Sequence, residues 1–228
     1  MEFLTESLRT AFELIMARDP DVVNAVSVSV VVALWSTLFA ALAGIPAGVV
    51  LGVTEFPGKR GVVTLLNTLM ALPTVVVGLF VYSIISRQGP LGVLGLLFTP
   101  QAMVIGQTIL AVPIMAHFTL STIKGADPRI VPTALTLGAG PMESVCRLVI
   151  ELRFGVMAAV IAGFGRVIAE VGVAMMLGGN IRGYTRTMTT AIAMETGKGE
   201  FAFGLALGII LMAVALVANL FLNALQQK

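Results

Sequence analysis

Two charged side chains, Arg166 and Glu170, stand four residues apart inside an otherwise apolar run, residues 154–177. On a helix that spacing places them side by side. An unpaired charge at mid-bilayer costs about 2.5–3.5 kcal/mol on insertion scales, so the two are expected to pair toward a protein interior or a water-filled path. They are either a polar element of a translocation path or gate, or a structural ion pair. A net-neutral pair is a poor high-affinity anion site, which suits a path that must release its cargo. Just beyond them, Asn180, Arg182, Tyr184, Thr185, Arg186 and Thr187 supply donors suited to a tetrahedral oxyanion. The preferred alternative is an outward loop that touches a binding protein or lipid headgroups. Pro73 and Pro113 interrupt two further apolar runs. An intramembrane proline frees a carbonyl that needs another partner or water. Thr74 and Gln107 could help to satisfy it, so these four are path candidates, although such kinks serve packing equally well. His117 reads as a hydrogen-bonded packing residue rather than a ligand. With one histidine, one cysteine (Cys146) and no Cys/His cluster, a metal site is not expected.

A different chemistry is carried by the polar interruption at residues 124–153. Residues 132–137 can form a short helix begun by Pro132, which suits a first helical turn. Gly138 and Gly140 supply a tight turn where a side chain would clash. Pro141 begins a second helix, residues 141–150. There Met142 and Val145 could present an apolar knob, while Glu143 and Arg147 pair on another face. A short amphipathic helix with an apolar tip suits insertion into a groove on a partner. An ordinary surface helix-turn-helix accounts for the pattern equally well.

The elements that must position these residues are membrane helices. Hydrophobic residues make up 57% of the 228, charged residues 11%, and mean hydropathy is +1.00. A soluble domain carries about 25% charged residues, so this is an integral membrane protein. The length allows about five or six spans with short loops and leaves no room for a nucleotide-hydrolysing domain. The phosphate-loop pattern Gly-x-x-x-x-Gly-Lys-Ser/Thr is absent; Thr196-Gly197-Lys198-Gly199 lacks its first glycine and its hydroxyl. Residues 1–19 carry Leu4, Leu8, Phe12 and Ile15 on one helical face, with Glu2, Glu6, Arg9 and Glu13 elsewhere. This reads as an amphipathic helix on a membrane surface, or as one packed on a neighbouring subunit. Spans are expected at 22–53, 62–86, 101–123, 154–177 and 201–225, with polar connections at 55–61 and 87–100 and a polar loop or re-entrant segment at 178–200. Small residues such as Ala40, Ala41, Ala43, Gly44, Gly204 and Gly208 permit close helix contact. Five helices give too little wall for a gated path, so a two-fold homodimer is the simplest closure.

Charge does not settle orientation. With the interruption cytoplasmic, Lys59, Arg60, Lys124, Arg129, Arg147, Arg153 and Lys228 lie inside, seven in all, against six outside: Arg9, Arg18, Arg87, Arg182, Arg186 and Lys198.

Residues 124–153 resemble the cytoplasmic "EAA" loop of type I ABC importer permeases. Its pattern is Glu-Ala-Ala, three residues, Gly, nine residues, then Ile-x-Leu-Pro. Pro132-Thr133-Ala134 stands at the Glu-Ala-Ala, Gly138 at the glycine, and Leu148-x-Ile150-Glu151 at the end. Ala134, Gly138 and the following Ala139-Gly140-Pro141 fit; Pro132 and Thr133 depart, and no proline closes the motif. The match continues through Gly165-Arg166 and Glu170-Val171-Gly172, then Gly178-Gly179-Asn180-Ile181-x-Gly183-x-Thr185, which is similar to the molybdate/tungstate branch and closest to the tungstate permeases. It covers about residues 20–225.

The resemblance implies an all-α membrane protein of the methionine- and molybdate-permease-like fold, with five transmembrane helices and an N-terminal amphipathic helix. It implies a permease rather than an enzyme, in the prokaryotic cytoplasmic membrane, with the N-terminus outside and the C-terminus cytoplasmic. Ala134, Gly138, Ala139, Gly140, Pro141, Met142, Glu143, Val145 and Arg147 would form the coupling loop. Two ATPase subunits would sit there, holding the ATP and Mg that this chain does not bind. A separate extracytoplasmic protein would select the oxyanion, tungstate first and molybdate next. A stand-alone secondary transporter or channel is the rival reading, and a membrane scaffold a further one. Against the first stand the absence of a detectable inverted repeat and the scarcity of intramembrane carboxylates for ion coupling.

Overall fold

The structure is a computed structural model and describes residues 2–226. Lys228 and the side chains of Glu2, Leu4 and Leu225 lie outside the described residues. The helices are α1 (Glu2–Met16), α2 (Pro20–Val53), α3 (Lys59–Met70), α4 (Thr74–Ile85), α5 (Pro100–Lys124), α6 (Ile130–Thr136), α7 (Pro141–Glu151), α8 (Arg153–Ile168), α9 (Gly172–Gly178), α10 (Met188–Lys198) and α11 (Phe201–Gln226). No strand occurs among the described residues.

The spine is α2 against α5. Each begins with a capped proline start: Asp19 accepts from the N–H groups of Asp21 and Val22 ahead of Pro20, and Thr99 accepts from Ala102 ahead of Pro100. Both caps satisfy donors that a helix start leaves open. At about 1.5 Å per residue, α2 is roughly 51 Å long, more than a bilayer's hydrocarbon core needs. Ala40, Gly44, Gly48 and Gly52 fall every fourth residue along it and face α5. A Cβ at Gly44 would lie 2.8 Å from the Val112 carbonyl oxygen, and one at Gly48 2.5 Å from that of Ala116. The two backbones therefore meet with no side chain between them. Above this seam Ser36 donates to Gln107 Oε1 at 3.3 Å, and Thr108 donates to the Ser36 carbonyl at 3.4 Å. Against α5 on another side, Gly155 and Gly163 of α8 receive Thr122 and Met115.

Three helices, α2, α5 and the described part of α11, are long and apolar enough to cross a membrane. There are five crossings if each of two bent pairs counts as one. Residues 62–86, expected as one run, are α3 and α4, turned through 97° at Ala71–Pro73. Pro73 explains the break, because it disfavours helical geometry at Leu72 and has no N–H to donate. Residues 154–177 are likewise α8 and α9, bent by 59°. No proline lies in that break; Glu170 does.

Two further elements are defined by their packing. Helix α1 packs along α11, with Phe3 edge-on to Phe201 at 5.3 Å and Ala11 and Ser7 buried, while Phe12 stays exposed. Residues 178–200 contain α10, whose Met188, Thr189, Thr190 and Ala191 are buried.

Candidate functional site

The break between α8 and α9 is where the charged pair sits. Arg166 Nη1 donates to Glu170 Oε2 at 2.9 Å. The Glu170 side chain is 2% exposed and the Arg166 side chain 39%. The second carboxylate oxygen, Oε1, accepts the Val173 N–H at 3.2 Å, and the Glu170 carbonyl accepts Thr189 Oγ1 at 2.7 Å. Glu170 thus holds an arginine, the first turn of α9 and the start of α10 together. A carboxylate at a helix start also complements the helix dipole. The other break joins this place. A Cβ on Gly172 would meet Thr74 Oγ1 at 2.7 Å and Glu170 Oε1 at 3.3 Å, so the first residues of α4 and α9 are in contact. The structure therefore gathers Thr74, Arg166 and Glu170, with Pro73 at the α4 start. Gln107 and Pro113 belong to another helix, α5. Gln107 is buried on the α2–α5 seam, and Pro113 is buried within an unbroken α5. His117 is half-buried beside Phe118, with rings 5.8 Å apart, and its Nδ1 lacks a hydrogen-bond partner, unlike the expected bonded packing residue.

The donor-rich segment 179–187 turns inward. Gly179 and Asn180 both take positive φ, +69° and +51°. Asn180 is 8% exposed; its Oδ1 accepts Thr190 Oγ1 at 2.9 Å and its Nδ2 faces Met194 Sδ. Thr185 is fully buried; its hydroxyl donates to the Gly178 carbonyl and accepts the Ile181 N–H at 3.0 Å. Thr187 and Thr190 form a capping box at the start of α10. Arg182 pairs with Asp21 at the head of α2, and Arg186 pairs with Glu195 at 3.3 Å. Most donors expected to face outward are therefore consumed in holding the loop to α2 and α10. Ile181 and Tyr184 are its exposed large apolar side chains, and the Arg182 side chain, though paired, is 70% exposed. Asp21 and Glu195, the acidic partners, were invisible to a reading along the chain because each lies in another element.

At the opposite end, α6 and α7 form a short antiparallel pair. Helix α6 starts at Ile130, so Pro132 is its third residue rather than its first. Gly138, at φ +89°, closes a Schellman motif: its N–H bonds to Leu135 and the Ala139 N–H to Ala134, each at 3.0 Å. Gly140 and Pro141 then start α7. Leu137 and Met142 are the exposed tip, at 82% and 76%. Val145 does not join them. It is half-buried and lines a hollow of about 450 Å³ with Gly52, Ile123, Leu135 and Leu148, toward the bundle. Glu143 and Arg147 approach to 3.8 Å on the outer side. They and Ala134 line a groove of about 710 Å³ between the two helices. Beside it, Arg129 holds the Asp127 carboxyl below the usual carboxylate range by hydrogen bonding. Among the described residues no cluster of His, Cys, Asp and Glu could hold a metal.

This arrangement of broken helices and a projecting helix pair has counterparts. The methionine ABC transporter MetNI in its inward-facing form matches with a TM-score of 0.73, over 90% of this chain and 94% of that one, at 18% identity. A bacterial alginate ABC transporter in complex with an alginate-bound periplasmic protein matches at 0.74, over 98% and 87%, at 19% identity. In sequence, the tungstate uptake system permease protein TupB of Peptoclostridium acidaminophilum is 38% identical over 228 residues, all of both chains. The family model described as binding-protein-dependent transport system inner membrane component matches residues 44–228. With a membrane-permease fold, two broken helix pairs and a relative matched end to end, the chain belongs to that family of inner-membrane transport components.

Proposed function

We propose that this chain is the permease subunit of an ATP-driven importer that moves an oxyanion, tungstate first and molybdate next, across the cytoplasmic membrane. The likeness to a tungstate permease along the full length of both chains carries the reading. Two copies form the path. Two ATPase subunits bind ATP and Mg and seat the Leu137–Met142 tips, and an extracytoplasmic protein delivers the anion. The N-terminus lies outside and the C-terminus inside, with five crossings. The chain itself takes no cofactor and hydrolyses nothing. ATP-driven closure moves the tips together, and the breaks at Pro73 and Glu170 are where the membrane helices yield. Arg166 and Glu170 are the gate candidates. A closure of the ATPases shifts the membrane domain only as far as their contacts differ between the two states.

The test is tungstate uptake and ATPase activity in proteoliposomes with the ATPase and binding protein. Gly138→Val forces a β-branched residue into the left-handed region, which costs roughly 1–3 kcal/mol. Nothing stands within 4 Å of the new Cβ, so backbone strain at the tip is the effect tested. The variant is expected to insert normally, retain ATP hydrolysis and lose most uptake. Wild-type uptake in Gly138→Val would remove the tip from coupling, and no tungstate uptake by the wild-type complex would remove the substrate.

A further inference from the structure

A second polar hollow lies at the α2–α3 turn, at the same end of the bundle as α6 and α7. It encloses about 680 Å³ and is lined by Glu55, Phe56, Lys59, Arg60, Thr64 and Lys124 among others. Three cations face one carboxylate there. That carboxylate is already taken: Lys59 Nζ bonds Glu55 Oε1 at 2.7 Å and the Thr54 carbonyl at 2.8 Å, and its side chain is only 12% exposed. Lys59 and, behind it, Lys124 hold the Glu55 carboxyl below its ordinary range, which places Lys124 within electrostatic reach of the same spot. Arg60 and Lys124 are exposed and have no carboxylate partner among the described residues. The hollow therefore carries two uncompensated positive charges. The start of α3 adds to them. Gly58 begins the helix at φ +89° with no side-chain cap, and neither Gly58 nor Gly61 has an atom near the space a Cβ would fill. The positive end of the helix dipole is open to the hollow.

We propose that this hollow holds the phosphate of an anionic phospholipid headgroup. The polar floor alone would take any oxyanion, including the cargo after release. Its surroundings favour the lipid. Phe56, 38% exposed, and Val63 line the hollow itself, Val53 just before it is 38% exposed, and α3 has no buried residue at all. A charged hollow edged by apolar side chains, on a helix with no buried residue, matches a headgroup joined to acyl chains, whereas a free oxyanion gains nothing from those side chains. This inference rests on the reading above only in placing the α6–α7 end at the cytoplasmic surface. Its biological consequence is a lipid seated between the α2–α5 spine and the inner half of the first broken pair.

The experiment is native mass spectrometry of the purified permease–ATPase complex, titrated in detergent with phosphatidylglycerol or phosphatidylcholine. Binding is read without uptake, so a failed transport assay leaves this result intact. Wild type is expected to prefer phosphatidylglycerol. Juxtamembrane cations contribute about fivefold each, so Arg60→Gln/Lys124→Gln should weaken phosphatidylglycerol about 25-fold and leave phosphatidylcholine unchanged. Arg60→Lys/Lys124→Arg should retain the preference. Arg9→Gln/Arg87→Gln, at the other end, should also retain it. Equal phosphatidylglycerol affinity in wild type and Arg60→Gln/Lys124→Gln overturns the proposal. So does displacement of phosphatidylglycerol by millimolar tungstate or inorganic phosphate but not by chloride at matched ionic strength, which would assign the hollow to a free oxyanion.

Discussion

Removing both members of the Arg166–Glu170 pair should destabilise the permease less than the sum of the two single removals predicts. The pair spans 2.9 Å, with the carboxylate almost fully buried and the guanidinium partly open. Arg166→Ala strands the carboxylate with the Val173 N–H as its remaining side-chain partner at 3.2 Å. Breaking a fully buried pair costs about 3–5 kcal/mol. Screening at the open arginine and the surviving N–H bond reduce that to about 2 kcal/mol. Glu170→Ala leaves Arg166 to water but also removes the acceptor of the Val173 N–H in the first turn of α9, again about 2 kcal/mol with roughly half from that bond. Additivity would give about 4 kcal/mol for the double change. Because the double change strands no charge, about 2–3 kcal/mol is expected, a coupling of about 1–2 kcal/mol. For a chain of this size each kcal/mol moves the midpoint roughly 2–4 °C, so each single variant should fall about 4–8 °C. The double variant should sit about 2–8 °C above the additive expectation. The assay is thermal unfolding of the purified permease in detergent, followed by size-exclusion chromatography of heated aliquots. Strictly additive midpoints would refute the coupling and show that the two side chains stabilise the break independently.

Gly48→Ala should lower the unfolding midpoint, because its Cβ would press on the Ala116 carbonyl at 2.5 Å and on Thr119 Cβ at 2.7 Å. Overpacking of this kind costs about 1–3 kcal/mol, whereas Gly61→Ala, which meets nothing, should be neutral or slightly stabilising in the same melt. Orientation is tested with single cysteines at the exposed positions Thr10, Gly140 and Tyr184 in a Cys146→Ser background. A membrane-impermeant thiol reagent on intact cells should label positions 10 and 184 but not 140; labelling at 140 would place the α6–α7 tip out of reach of any cytoplasmic ATPase.

Composition and hydropathy identified an all-helical membrane chain, because lipid permits few other ways to satisfy a backbone. The helix-Gly-helix pattern around Gly138 was legible for a related reason. A Schellman close is made by residues 134–139 alone, and its glycine announces the positive φ that it needs. Pro73 marked one break, since a proline acts on its own neighbours. The other break carried no such mark. It is held by the Glu170 side chain bonding Val173 and by Thr189 reaching the Glu170 carbonyl from another helix. Hydrophobic pattern could place Val145 on an outer knob, but only the fold shows that it lines a hollow with Gly52 and Ile123 on the side of the bundle. The same holds for the polar side chains. Asn180, Thr185 and Arg182 have the chemistry of anion ligands in isolation. Their partners Thr190, Gly178 and Asp21 make them ties between elements, and Arg182 meets Asp21 across 161 positions of chain. Residue type and local spacing determine helices, caps and turns, whose bonds close within a few residues. Which polar groups remain free to act is decided by the tertiary structure, because their competing partners arrive from elsewhere in the chain.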